Sequence, residues 1–378
     1  MPLPYELDYT QDLIKILKAE KLGPLPELLT FEDGGKVVTP EDWEKRREEI
    51  YRTAVELQYG EIPPEPEFLE VERFCDGGDG GTYRIKTGRR SAPVFIDFTV
   101  YMPKGVENPA VAVDGDACWR YFCSPGFVDV FNKNGVALVM FNRTELAHDV
   151  SAERPFAKGQ LYDAYPDYSF GDIGAWSWGF SRVVDALEKI GGVDLGALAF
   201  TGHSRGGKTA MLAGVRDKRA AIVNPNETNC GACGCYRVHT TAITEDGGER
   251  RSETLADMTA NFPSWLGPKM KDYAEREQDL PFDCHFLKAL VSPRTLLIGE
   301  AASDIWTNPV GCVLTDKAAQ EAFDRFGGDF LWYFRRGWHS HTIFDARQLV
   351  AVMRHKKYGD GLDLSGYFRT PFGFDEDM

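Results

Sequence analysis

The sequence predicts an α/β protein built on a mostly parallel sheet with helices on both faces. Three observations predict it. Strand-like apolar runs alternate with helical patterns through most of the chain. A serine bracketed by glycines stands between one such strand and the helix after it. Acids and histidines of catalytic type then follow later strands in chain order. The division expected is an N-terminal wrapping segment over residues 1–95, packed on a main domain over 96–378.

The elements can be taken in order. Thr39-Pro40-Glu41-Asp42 opens a helix that runs through WEKRREEIYRTAVELQYG. The threonine can cap, proline suits the first turn, and the acids complement the helix dipole. PPEPEF breaks the chain, and strand-like APVFIDFTVYMP and PAVAVDG follow. GVALVMFN reads as a strand, GAWSWGFSRVVDALEKI as an amphipathic helix, and GALAFTG as a strand. GGKTAMLAGVRD is helical, and RAAIVNPN is a strand. A long helical insertion then separates this strand from SPRTLLIGE, placed to roof a site at the sheet edge. TDKAAQEAFDRF (helix), DFLWYFRR (strand) and FDARQLVAVMRHKK (helix) complete the pattern.

Composition excludes some functions. The 378 residues are 43% hydrophobic, enough for a substantial core, so disorder is not the reading. A formal net charge of −15 argues against nucleic acid or an anionic membrane as partner, since both are bound through basic surfaces. The first 22 residues lack a basic segment followed by an apolar one, and no apolar run approaches the roughly 18 residues of a spanning helix. The expectation is a cytoplasmic protein. Eight cysteines in a chain of this length do not make a disulfide scaffold. Cys230, Cys233 and Cys235, with His239 nearby, find no matching second ligand pair and read as small residues packed under a loop. Glu245 to Arg251 reads as a solvated loop and His285 as structural. No phosphate loop or dinucleotide fingerprint appears.

Gly202-His203-Ser204-Arg205-Gly206 fits G-x-S-x-G, with a strand leading in and a helix leading out. Flanking glycines permit the tight turn that lifts a serine hydroxyl above the sheet and aims the next amides at a developing oxyanion. This is the nucleophile elbow of the α/β-hydrolase fold. A serine hydroxyl needs a base, and the base an orienting acid, in the order Ser, Asp or Glu, His. Past the last strand, Gly337-Trp338-His339-Ser340-His341 offers two bases that spacing does not separate. Asp304, after TLLIGE, and Glu227, after AAIVNPN, are both placed to serve as the acid.

Together GAWSWGFSRVVDALE, TGHSRGGKTA, LPFDCHFLKALVSPRTLL and SDIWTNPVG resemble the glucuronoyl esterases (carbohydrate esterase family fifteen) and their bacterial relatives. The family elbow reads G-x-S-R-x-G-K, which Gly202, Ser204, Arg205, Gly207 and Lys208 match. The resemblance implies that Arg205 helps stabilise the oxyanion, that Lys208 hydrogen-bonds sugar hydroxyls and that Trp306 lines a sugar pocket. The bacterial register selects His339, with Gly337 and Asp345, whereas a fungal-type register selects His341 with Phe344. Asp304 matches the D-x-W aspartate of bacterial members and is the first choice of acid, with Glu227 as the second. The chain departs from the family where TNCGAC replaces S-G-x-G-G after Glu227. The expected function is a serine carboxylic-ester hydrolase acting on a small-molecule or oligosaccharide ester of a glucuronic acid, with no metal and no organic cofactor. The alternative is a carbohydrate or metabolite esterase for acetyl or another small acyl group.

Overall fold

The computed structural model describes residues 5–7, 15–77, 80–119, 125–153, 158–244 and 246–372. Parts of the N-terminal stretch read for a leader, and Glu245 of the expected loop, lie outside these residues.

Twelve strands are found among them. They are β1 (Lys15–Lys21), β2 (Phe68–Gly77), β3 (Gly80–Arg89), β4 (Ala92–Tyr101), β5 (Ala110–Asp114), β6 (Val136–Phe141), β7 (Asp194–His203), β8 (Ile222–Asn226), β9 (Val238–Ile243), β10 (Glu249–Arg251), β11 (Thr295–Ala301) and β12 (Asp329–Arg335). Nine form one sheet in the order β12-β11-β8-β7-β5-β6-β4-β3-β2. The pairings from β12 through to β6 are parallel, and β4, β3 and β2 add an antiparallel edge. The central parallel strands are buried on both faces, which is why VALVMF and TLLIGEA read as continuous apolar runs rather than alternations.

The division at residue 95 therefore needs correction. It falls inside β4, and β2 and β3, from the expected wrapping segment, are hydrogen-bonded members of the main sheet. Their alternating, half-polar sequences gave too weak a strand signal beside the apolar parallel runs. The insertion before β11 is also less helical than expected. Its β9 and β10 form a hairpin, and β1 pairs with β9 to complete a three-stranded sheet. Part of the expected solvated loop is thus strand β10.

The helices behave as their sequences require. Thr39 caps Pro40–Ile50 in a reciprocal box with Asp42, an arrangement worth about 1 kcal/mol. Trp43 of that helix stacks on Phe326 at 5.1 Å and so fixes the N-terminal segment against the main domain. Asp172–Ile190 lies buried against the sheet, with the indoles of Trp176 and Trp178 donating to the carbonyls of Ala147 and Pro64. Those bonds let two large rings sit in the core without stranding a polar N–H. No helix of the described residues is long and apolar enough to cross a membrane.

Candidate active site

The register of the parallel strands decides what can meet. His203 at the end of β7 is opposite Asn226 at the end of β8, Asn226 is opposite Gly299 of β11, and Ala301 is opposite Arg335 of β12. Ser204, Glu227, Asp304 and His339 each follow one of these carboxyl ends. The switch from strand to loop at one edge therefore gathers them from four separate parts of the chain.

The elbow is built as its glycines suggest. Ser204 has φ 57° and ψ −122°, outside the ordinary regions for a non-glycine residue, at a cost of about 1–3 kcal/mol. It is held there by its own N–H, which donates to the Asn226 carbonyl at 2.9 Å. A Cβ on Gly202 would lie 2.4 Å from the Gly206 carbonyl oxygen, and one on Gly206 would lie 2.1 Å from the Asp116 carboxylate. The helix Arg205–Arg216 begins at once, so its first amides surround the serine.

His339 and His341 occupy different environments. The Nδ1 of His339 is 2.6 Å from Asp304 Oδ2 and 3.4 Å from Glu227 Oε2, while its side chain remains 40% exposed. Its ring lies 4.5 Å from that of His203, beside the serine. With Nδ1 turned to the carboxylates, Nε2 is the nitrogen left for the elbow. Burial opposes protonation of His339, but the hydrogen bonds and charges of Asp304 and Glu227 overrule it and raise the pKa to about 10. His341 is 8% exposed, near-parallel to His203 and edge-on to Phe127. Burial, reinforced by His203, depresses its pKa to about 3. The structure thus brings one of the two histidines to the acids and packs the other behind them.

Glu227 is buried, with φ 49°. One carboxylate oxygen pairs with Arg335, and the other accepts from Ser340 N at 2.9 Å and lies 3.4 Å from His203 Nε2. Burial alone would raise its pKa, yet Arg335 and the two imidazoles bring it down to about 2. Arg335 is itself clamped on its far side by Asp345, whose carboxylate also caps Ile343–Tyr358 through Thr342. Asp304 caps no helix with its side chain; its carboxylate is given to His339.

On the other side of the serine, Arg205 lies over the rings of Trp265 at 4.6 Å and Phe262 at 4.8 Å, and donates to Asp149 at 3.0 Å. Its buried Nε has no hydrogen-bond partner among the described residues. Asp149 also lies 3.4 Å from the fully buried Arg143, which pairs with Asp116. Asp116 in turn accepts the backbone N–H of His203 at 2.9 Å. A chain of charges therefore starts at the residue before Ser204 and returns to the residue after it.

Lys208 does not stand open to the cleft. It is 3% exposed, and its ammonium donates to the carbonyls of Thr228 and Cys230, with Glu253 at 3.8 Å. It pins the loop after Glu227, where Glu227, Asn229 and Gly231 all have positive φ. Trp306 is 41% exposed, and the Arg251 guanidinium sits 5.8 Å from its ring. Cys230, Cys233 and Cys235 are buried under this loop, and burial pushes all three thiols up. His285 is buried and its Nε2 lies 2.9 Å from the Pro26 carbonyl oxygen.

One grouping among the described residues has metal-ligand character: donor atoms of His203, Glu227 and His339 lie within 4.8 Å of one another. These atoms are already committed, Glu227 to Arg335 and Ser340, and His339 Nδ1 to Asp304. A cation there would face a guanidinium already held by the carboxylate. The set fits a hydrogen-bonded network better than a metal centre.

Sequence reasoning missed Asp116, Arg143, Asp149 and Arg335. A faint signal existed, because Asp114, Asp116 and Arg335 sit at carboxyl ends of strongly apolar strands, where a charge must be paired or functional. Nothing in the sequence said which partners they would meet.

Comparison with known proteins follows the same lines. The model of a family described as glucuronyl esterase, fungi, matches residues 88–327. A 4-O-methyl-glucuronoyl methylesterase of Hypocrea jecorina is 30% identical, over 86% of this chain and 67% of its own length. One of Wolfiporia cocos is 28% identical, over 85% and 76% respectively. Among solved structures, a carbohydrate esterase family 15 glucuronoyl esterase from Caldicellulosiruptor kristjansonii superposes with a TM-score of 0.79 at 27% identity, covering 94% of this chain and 95% of that one. A serine-to-alanine mutant of the glucuronoyl esterase of Sporotrichum thermophile, in complex with methyl 4-O-methyl-β-D-glucopyranuronate, gives 0.72 at 25% identity, covering 94% and 92%.

Proposed function

This chain belongs to the glucuronoyl esterase family, and from that premise we propose that it hydrolyses carboxylic esters of a glucuronic acid through an acyl-enzyme. One observation carries the mechanism: His339 Nδ1 lies 2.6 Å from Asp304, which leaves Nε2 as the ring nitrogen available to the elbow serine. Ser204 attacks the ester carbonyl while His339 Nε2 takes its proton. The oxyanion forms beside the first amides of the Arg205–Arg216 helix, with the part-exposed Arg205 guanidinium, held by Asp149, as the neighbouring positive charge. Collapse of the intermediate breaks the bond to the alcohol, which leaves with the proton from His339. Water, deprotonated by the same imidazole, then attacks the acyl-enzyme, and collapse releases the uronic acid and returns the proton to Ser204. Asp304 is the principal orienting acid, and Glu227 a second acid on the same nitrogen.

Lys208 is the observation that favours the alternative, a small-acyl substrate. Its ammonium is engaged with the Thr228 and Cys230 carbonyls rather than offered to a sugar. A paired assay separates the two readings: kcat/KM on a benzyl ester of glucuronic acid beside 4-nitrophenyl acetate, with Ser204→Ala as the blank. The expected result is strong preference for the glucuronate ester and a loss of about 10⁴-fold or more in the variant. Activity confined to the acetate would sink the glucuronate reading and keep the triad.

A further inference from the structure

His203, the residue before the nucleophile, takes no step in the chemistry of Ser204, yet it stands among the groups that do. It closes β7, its backbone N–H is held by the Asp116 carboxylate at 2.9 Å, and its side chain is buried. The imidazole reaches past the end of β8, where Nε2 lies 3.4 Å from Glu227 Oε2. His339 Nδ1 lies at the same 3.4 Å from the same oxygen. Two imidazoles with rings 4.5 Å apart therefore address one carboxylate atom.

That atom cannot serve both fully. A carboxylate offers about four lone-pair sites over its two oxygens, or about two on each. On Glu227, Oε1 is taken by Arg335, and Oε2 already accepts Ser340 N at 2.9 Å. About one site on Oε2 is left for two rings. Glu227 is ionised: burial opposes its charge, but Arg335 and the two imidazoles bring its pKa down to about 2. An ionised carboxylate only accepts, so the nitrogen that each ring turns to it carries a proton. His339 has a nearer acceptor in Asp304, at 2.6 Å, and the shared site falls to His203.

We propose that His203 is a positioning residue for the reaction: by donating Nε2–H to Glu227 Oε2, it weakens the second acid's hold on the catalytic imidazole and leaves Asp304 as its principal partner. The proposal rests on the acyl-enzyme reading above. Its consequence falls on the base. The imidazolium of His339 is stabilised by Asp304 and Glu227, and feels the buried carboxylate of Glu253 as well. A donor on Glu227 draws that charge away from His339, so the neutral base becomes available at lower pH. Arg335 keeps its place on Glu227 when the His203 side chain changes, and Asp116 binds the backbone N–H there. His341, near-parallel to His203 at 5.9 Å, is a neutral ring whose pKa burial depresses to about 3.

The test follows kcat/KM against pH on the benzyl ester of glucuronic acid, using the full chain with Ser204→Ala as the blank. His203→Phe keeps a ring and removes the donor, whereas His203→Gln keeps an N–H donor near the same place. In His203→Phe the rising limb should move about half a pH unit to the alkaline side, and in His203→Gln it should stay close to wild type. Adding Glu227→Gln to His203→Phe should bring the limb to its position in Glu227→Gln alone. A merely structural role lowers kcat or the urea midpoint but produces no alkaline shift that depends on Glu227. An unmoved limb in folded His203→Phe, a shift to acid, or an alkaline shift that survives Glu227→Gln overturns the proposal. Nitrogen-15 NMR of the wild-type rings decides even if His203→Phe fails to fold: a proton is expected on His203 Nε2, and its absence overturns the proposal. If the wild type cleaves no glucuronate ester, the functional reading falls by itself, and the same shift is read as the His339 ring titration by NMR.

Discussion

The two flanks of Ser204 are built alike and tuned oppositely. Each centres on a buried arginine clamped by two acids: Arg335 between Glu227 and Asp345, and Arg143 between Asp116 and Asp149. On the first flank the clamp ends at His339, which in the proposed mechanism gains and loses a proton. On the second it ends at Arg205, a guanidinium held by Asp149. The same architecture thus positions a titrating base on one side and a fixed cation on the other. What differs is the final residue, and with it the pH response expected of each flank.

The largest expected effect breaks the first flank at its end. His339→Ala should lower kcat by about 10⁴-fold or more, since the proton acceptor is lost. His341→Ala should instead leave kcat within about ten-fold while lowering stability by about 1–3 kcal/mol, because a buried ring is removed from behind His203. Steady-state kinetics beside urea unfolding checks both. Comparable kcat losses in the two variants would undo the assignment of the base.

Much of this was legible in the sequence, for a physical reason. Ser204, Asp304, Glu227 and His339 sit at ends of buried parallel strands, and buried strands announce themselves as apolar runs followed by loops. The elbow was readable because Gly202 and Gly206 leave no space for a side chain. What stayed hidden depends on pairing across the fold. β2 and β3 hid because half-exposed antiparallel strands mix polar and apolar residues. The role of Lys208 hid because local sequence does not say whether an ammonium faces solvent or the carbonyls of Thr228 and Cys230. Arg143 and Asp149 hid because their other partners, Asp116 and Arg205, come from separate segments and meet them only once β5, β6 and β7 lie side by side.

A second test asks whether the two clamps carry comparable weight in the fold. Arg335→Met and Arg143→Met each strand two buried or part-buried carboxylates. Each should destabilise the chain by about 3–5 kcal/mol in denaturant unfolding. Only Arg335→Met should also disturb the acid limb of the activity profile, because Glu227 contacts His339. A clamp whose arginine can be removed without loss of stability is not organising its flank.

The acids of the first flank give a smaller effect with a defined sign. The raised pKa of His339 means that the active, neutral imidazole appears as pH rises, so kcat/KM should climb toward alkaline pH. Removing either carboxylate removes stabilisation of the imidazolium and should move that limb to lower pH. Asp304→Asn should shift it further than Glu227→Gln, in keeping with 2.6 Å against 3.4 Å. With Glu227 in reserve, Asp304→Asn should cost about 10²-fold in kcat, less than loss of a lone triad acid. The stability linkage runs the other way. The histidine's raised folded pKa stabilises the fold fully below its unfolded value, and that contribution fades as pH rises through about 10.

The mildest prediction sharpens the comparison most. Among the described residues Asp149 is paired with the second flank alone: it holds Arg205 at 3.0 Å and reaches Arg143 at 3.4 Å. Asp149→Asn should loosen the guanidinium beside the oxyanion and lower kcat by about ten-fold. KM should change little, because the contact strengthens only as charge develops on the ester oxygen. The pH limb should not move, since His339 keeps both carboxylates. A limb displaced by Asp149→Asn would mean that the flanks are electrostatically joined across Ser204. A kcat loss without displacement would leave them as two separate devices meeting at one serine.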